Sequence, residues 1–323
     1  MKKILRMLLI AFASAVVPSA GAQQPARTAT IGYLGIAENP DLDSAFRKGL
    51  EEHGHTVGKT VRIEYRYAGG RAENLPRLAA ELVALKVALI VASSSQAIEA
   101  ARMTTKTIPI VFPVTFDPVR SGYVASLARP GGNLTGLNPL NPEVAGKRVE
   151  LLKEIVPGLS RVAVLWNSTN PGSRLAVQET EAAMKKLRVR IQMLDVTAAP
   201  DLEKAFSAAA KGRADAMIVM PDNFLGSISG RTVKLAAEAR LPVMFSRGDY
   251  VEAGGLVSYG ASIRDLYRRA AGYVDKILKG ANPADLPVEQ AARFELFINL
   301  GTAKRLGLAI PREVLFRADK VIE

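Results

Sequence analysis

Val87-Ala88-Leu89-Ile90-Val91-Ala92-Ser93-Ser94-Ser95-Gln96 decides how this chain is read. Six apolar residues in a row, with no polar alternation, fit a strand covered on both faces, as in a parallel sheet packed between helices. The serines that follow can cap a helix, because a hydroxyl at an N-cap accepts a hydrogen bond from a free first-turn amide. The stretch therefore predicts strand, cap and helix, the repeating unit of an α/β fold.

The same unit recurs on either side. Residues 29–34 and 108–114 are further apolar runs, and Leu42, Ala45, Phe46, Gly49 and Leu50 fall at helical spacing between them. Val61, Ile63, Tyr65 and Tyr67 alternate with Arg62, Glu64 and Arg66, which marks a strand with one wet face, as at a sheet edge. A second series starts near Pro142, with a helix carrying Ala145, Val149, Leu152 and Val156. Strands over residues 161–166, 191–196, 216–220 and 242–246 follow, with amphipathic helices between them. After Gly254 the rhythm breaks into a short strand, a long helix through Ile263 and Leu278, a strand near residues 294–298 and a last helix. Two α/β units and a composite tail predict two lobes and a chain that crosses between them more than once. The expected crossings are Asn138, residues 258–260 and residues 291–293. Lobe 1 is then residues 28–137 with 258–290, and lobe 2 is residues 138–257 with 291–323.

The start of the chain carries Lys2, Lys3 and Arg6, an uncharged apolar run over residues 7–17, and then Ala20-Gly21-Ala22. That is the pattern of a secretory signal peptide over residues 1–22, cut before Gln23. The apolar run is shorter than the ~20 residues a membrane-spanning helix needs. The expected location is the periplasm. With 0 cysteines, thiol catalysis, thiolate metal sites and a lipid-anchored start are excluded. The net charge of +12 is spread along the chain. Its densest groups, residues 185–190 and 264–269, lie on or beside amphipathic helices and read as solvated faces, so no nucleic-acid partner is expected.

Open parallel sheets hold ligands outside the carboxyl ends of their strands, where helix N-termini also point. Ser94, Ser95 and Gln96 sit at such a place and can seat a ligand carboxylate or simply cap a helix. Asn167, Ser168, Asn170, Gly172 and Ser173 occupy the matching place in the second unit, directly after Trp166, the 1 tryptophan of the chain. Trp166 can wall a pocket or pack in the core, and Tyr33, Phe116, Phe224 and Tyr250 read first as core. Asp117 and Asp222 each follow a strand. Asp117, before Pro118, looks like a turn former. Asp222, beside Asn223, is the better partner for a ligand ammonium.

Several motifs are decoys. Gly54-His55-Thr56-Val57-Gly58-Lys59-Thr60 has its first glycine one residue too close for a phosphate-binding loop and leads into a strand. His53 and His55, the 2 histidines, lie in that turn without the spacing of a metal pair. Gly226-Ser227-Ile228-Ser229-Gly230 has isoleucine where a nucleophile elbow needs serine. No metal or cofactor is expected, and no catalytic residue is assigned. A hydrolase with Asp117 and Asp222 as a carboxylate pair stays open as an alternative.

The chain resembles the periplasmic substrate-binding proteins of ABC transporters, in the group with tryptophan- and tyrosine-binding members. The likeness rests on Ile31-Gly32-Tyr33-Leu34 with Asp43 and Phe46-Arg47-Lys48-Gly49-Leu50, then Ser94-Ser95-Gln96-Ala97 and Ile108-Pro109-Ile110-Val111-Phe112. It continues through Asp117-Pro118-Val119, Arg129-Pro130-Gly131-Gly132-Asn133-Leu134-Thr135-Gly136 and Leu151-Leu152-Lys153-Glu154-Ile155-Val156-Pro157. Arg161-Val162-Ala163-Val164-Leu165, Ser258-Tyr259-Gly260 and Ala303-Lys304-Arg305-Leu306-Gly307-Leu308 close it. The resemblance implies the type I periplasmic-binding fold, two Rossmann-like lobes joined by three hinge crossings. It implies a small-molecule ligand, a small zwitterion such as an amino acid, held between the lobes and delivered to a permease in the inner membrane by a monomeric binding protein. By the same resemblance Ser95, Gln96 and residues 168–173 meet the carboxylate. Asp222 takes the ammonium, with Asp117 and Asn138 beside it. The segment after the first strand, Gly35-Ile36-Ala37-Glu38-Asn39-Pro40, lacks the glutamine associated with aromatic amino-acid binders. An exported sensory receptor subunit would share fold and ligand. A DNA-binding repressor of this fold would need a helix-turn-helix where the signal pattern stands.

Overall fold

The computed structural model describes residues 28–139, 143–291 and 293–323. The expected signal peptide, and residue 292 of the expected last crossing, lie outside the described residues. The first unit runs β1 (Ala29–Gly35), α1 (Pro40–Glu52), β2 (Val61–Tyr67), α2 (Leu75–Ala84), β3 (Leu89–Ala92), α3 (Ser95–Thr104), β4 (Ile110–Phe112) and β5 (Leu134–Asn138). The second runs α4 (Glu143–Ile155), β6 (Arg161–Trp166), α5 (Pro171–Lys186), β7 (Arg190–Asp195), α6 (Asp201–Lys211), β8 (Ala216–Val219), α7 (Asn223–Ser227), α8 (Ser229–Glu238), β9 (Val243–Phe245), α9 (Gly248–Glu252) and β10 (Val257–Ala261). The tail holds α10 (Ile263–Leu278), β11 (Glu289–Gln290), β12 (Phe294–Asn299), α11 (Leu300–Arg305), α12 (Arg312–Phe316) and β13 (Lys320–Ile322).

The strands form two sheets. One has the order β11-β5-β4-β3-β1-β2, and the other β13-β12-β10-β9-β8-β6-β7. Both share the doubly wound core in which the strand order reverses beside the first strand of the unit, between β1 and β3 and between β6 and β8. Pairing is parallel throughout, except that β12 runs antiparallel to β10. β3 is fully buried, as its unbroken apolar run demands, and β2 is an edge strand, as its alternation demands.

The tail is shared. α10 packs on α1 in lobe 1, where Leu42, Phe46 and Leu50 meet Leu266, Tyr267, Ala270 and Val274 in one buried cluster. Each such large apolar side chain, fully buried, contributes ~1.5–3 kcal/mol. The two helices touch at Gly49, where a β-carbon would lie 2.1 Å from the carbonyl oxygen of Arg268. β10 differs from expectation. It pairs with β9 at Val257–Met244 and with β12 through Ala261–Phe294, so residues 258–261 belong to the second sheet. The chain returns to lobe 1 after Ala261, because β9 holds β10 as far as Ser258 and β12 holds it to its last residue. The final crossing falls between β11, which pairs with β5, and β12.

Candidate functional site

The carboxyl ends of the central strands of both sheets face one cleft. Its empty volume, open mouth included, is about 810 Å³. Lobe 1 supplies Ser94 and Ser95 after β3 and Val114 and Phe116 after β4. Lobe 2 supplies Asn170 after β6, Asp222 and Asn223 after β8, and Ser246 and Arg247 after β9. The faces of α4 and α5 add Val144, Ala145, Arg148, Ala176, Glu179 and Thr180. The surface these residues expose to the cleft is mostly apolar, although most of them carry a polar group and four are charged.

Asp222 is the best-built polar group of the cleft. It is buried and caps α7 through a bond from the Leu225 amide at 2.8 Å. Its other oxygen accepts from Asn170 Nδ2 at 2.6 Å and Asn167 Nδ2 at 3.4 Å. Burial raises its pKa above the ordinary carboxylate value, against the lowering effect of those donors. Among the described residues no cation pairs with it. Arg148, on α4, is buried as well, and its Nε donates to the Tyr259 carbonyl at 2.7 Å. Burial pushes its pKa down to about 10, so at neutral pH it remains a cation.

The expected site residues divide. Ser94, Ser95, Asn170, Asp222 and Asn223 line the cleft. Asn167 orients Asp222 from behind. Gly172 stands opposite Ser95, while Gln96 and Ser173 are buried close by with side-chain polar atoms that meet no partner. Asn138 ends β5 at the hinge, where its carbonyl accepts from the Ala291 amide at 2.9 Å.

Three expectations need correction. Asp117 does not line the cleft. It has a φ of +41° and accepts from the Arg120 amide at 3.0 Å, which makes it a turn former. Trp166 ends β6 and packs half-buried on the lobe 2 core. Ser168 turns away to Asp195, which it holds through its amide at 2.9 Å and its hydroxyl at 2.6 Å. With Asp117 outside, the carboxylate pair of a hydrolase is not assembled. Of the aromatic candidates only Phe116 lines the cleft, while Tyr33, Phe224 and Tyr250 are core.

Sequence reasoning missed Arg148, Glu179, Ser246 and Arg247. Ser246 and Arg247 directly follow β9, so the strand-end rule applied to that strand would have found them. Arg148 lies three residues after Ala145 and four before Leu152, a charge on an apolar helical stripe, and that misfit was its signal.

The lobes are closed on one another. Asn223, on lobe 2, donates through Nδ2 to the Ser93 carbonyl and, at 3.0 Å, to the Tyr267 hydroxyl of lobe 1. Arg120 of lobe 1 reaches Gln178 on α5 at 3.0 Å.

The likeness to proteins of known structure has the same sense. The chain is 29% identical to a solved domain from Streptococcus pneumoniae in complex with L-Trp, which covers 91% of this chain and 100% of its own, with a TM-score of 0.84. To the ligand-free, open structure of a substrate-binding protein with adhesive properties from Clostridium difficile, the identity is 27%, with 91% and 99% covered, yet the TM-score is 0.62. Near-equal identity with a lower score against the open form fits a closed arrangement here. The Clostridioides difficile tyrosine-binding protein is 29% identical over 281 residues, 86% of this chain and 81% of that protein. The family model for ABC transporter substrate-binding proteins matches residues 34–322, and the chain belongs to that family.

Proposed function

We propose that this protein captures an amino acid in the cleft, closes its lobes over it and hands it to the permease of an ABC transporter in the inner membrane. The carrying observation is Asp222, a buried carboxylate with no cation paired to it among the described residues, in a closed cleft. Such a group is costly to bury unpaired, and a ligand ammonium answers it. Asn170 holds the carboxylate in place, and Ser95, Phe116 and Asn223 wall the ligand. The apolar lining takes the side chain. L-Trp and tyrosine in the relatives' sites support an amino acid as the ligand class. The pattern over residues 1–22 supports export to the periplasm, where the binding protein works as a monomer.

The test is a thermal-shift screen of protein unfolded and refolded to strip carried ligand, against amino acids, simple sugars and small carboxylates. A ligand at 100 times its Kd stabilises by about 2.7 kcal/mol, which moves Tm visibly. A shift with one amino-acid class is the expected result. A shift with sugars alone overturns the proposal.

A further inference from the structure

Four charged side chains line the cleft, and two of them are already answered. Arg247 has its charge paired with Asp249 through Nε and Nη2, leaving only its buried Nη1 without a partner among the described residues, and Glu179 lies 3.7 Å from Arg120. Asp222 and Arg148 remain, one anion and one cation. Arg148 is 8% exposed, and among the described residues its one acceptor is the Tyr259 carbonyl, with no carboxylate paired to it. A guanidinium carries five N–H donors in a planar fork that matches a carboxylate, so anchoring through Nε leaves the Nη pair free to receive one.

The helix starts expected to seat a carboxylate are less free. The Ser94 hydroxyl accepts from the Ala97 amide at 3.1 Å as the cap of α3, and it has a single neutral O–H to give a carboxylate against the charged two-pronged donor of a guanidinium. Gln96 does not line the cleft, and Ser168 is bound to Asp195. We propose that Arg148 is the receptor for the ligand's carboxylate, so that the cleft selects a carboxylate at the α4 wall and an ammonium at Asp222. The ligand body then lies against Val114, Phe116, Val144 and Ala176, which are apolar and demand no polar side chain. The ammonium half rests on the amino-acid reading above, and the carboxylate half stands without it.

Calorimetry on refolded protein tests this with three matched sets. They are L-amino acids, their amides, which keep the ammonium and lose the carboxylate, and the corresponding deaminated acids. Wild type is expected to bind an amino acid at least ~30-fold more tightly than its amide, the scale of a lost buried charge pair. Arg148→Gln should lose about the same factor for the amino acid and leave the amide within threefold. Arg148→Lys, which keeps the charge and lacks the fork, should fall between, and it carries the same comparison if the glutamine variant does not fold. Equal weakening of amino acid and amide, or no weakening of either, overturns the role of Arg148. So does a wild type that binds nothing bearing a carboxylate. Binding of deaminated acids alone, lost in Arg148→Gln, upholds Arg148 and overturns the amino-acid reading instead.

Discussion

Gly172 and Ser95 face each other across the cleft so closely that a β-carbon on Gly172 would lie 2.6 Å from the Ser95 hydroxyl oxygen. The same atom would stand 2.6 Å from the Phe116 ring. These two neighbours are on lobe 1 and Gly172 is on lobe 2, so the contact exists only when the lobes are shut. Gly172→Ala should therefore act chiefly on closure, since the one neighbour in its own lobe, the Asn170 side-chain oxygen, stands farther off at 3.3 Å. The expected result is a ~10-fold weaker ligand affinity by calorimetry, the order of ~1–3 kcal/mol for overpacking, with an unchanged urea midpoint for the ligand-free protein.

Asn223 bonds two lobe 1 oxygens at once, those of Ser93 and Tyr267. Each bond is worth ~0.5–1.5 kcal/mol net. Asn223→Ala should weaken ligand binding about 5- to 150-fold. Small-angle scattering at saturating ligand should show a larger open fraction than wild type, and an unaltered scattering curve together with unaltered affinity would remove Asn223 from the closure account.

Asp222 makes two opposite pH effects. Its pKa is raised by burial in the folded protein, so the folded state takes up its proton at a higher pH than the unfolded chain does. As pH falls through that raised value, above the ordinary 3.8, the carboxylate neutralises and ligand affinity drops. Over the same window this group adds to the stability of the ligand-free protein, because the folded state binds the extra proton. Asp222→Asn should bind at least ~2 kcal/mol more weakly at neutral pH and show no such pH dependence. Titration calorimetry across the window reads both.

Gly49 sits where α1 crosses α10, far from the cleft. Gly49→Ala drives a β-carbon onto the Arg268 carbonyl and should destabilise the protein by ~2 kcal/mol in urea unfolding, with ligand affinity intact. A stability equal to wild type would mean that the two helices separate without cost.

Most of the fold was legible because its signals are local. The unbroken run before Ser93 reports a strand buried on two faces, and the alternation from Val61 to Tyr67 reports one at a sheet edge. The hinge was less legible. Ser258-Tyr259-Gly260 looks like a place to leave the sheet, but its membership is decided by Glu295, Leu296 and Phe297, which pair with it from a distant part of the chain. Site residues at strand ends, such as Asp222 and Ser95, could be found by position. Asp117 could not be separated from them, since a positive φ and a turn hydrogen bond do not show in residue type. Arg148 was hard to find because a charge on a helix ordinarily faces water, whereas here it sits on the apolar stripe of α4 and is anchored by the Tyr259 carbonyl of β10, far along the chain.

The long return of the chain to lobe 1 also bears on how the molecule comes into being. Arg268 on α10 meets Glu52 on α1, 216 residues earlier, and beneath that ion pair lies an apolar seam neither helix can cover alone. Synthesis delivers α1 long before α10, so the first lobe must wait, with its seam uncovered, for the second to pass. Contacts this distant in sequence fold slowly and leave sticky surface open in the interval. Neither lobe exists as a continuous gene fragment, and a chain cut anywhere before residue 278 yields two incomplete lobes and no complete one.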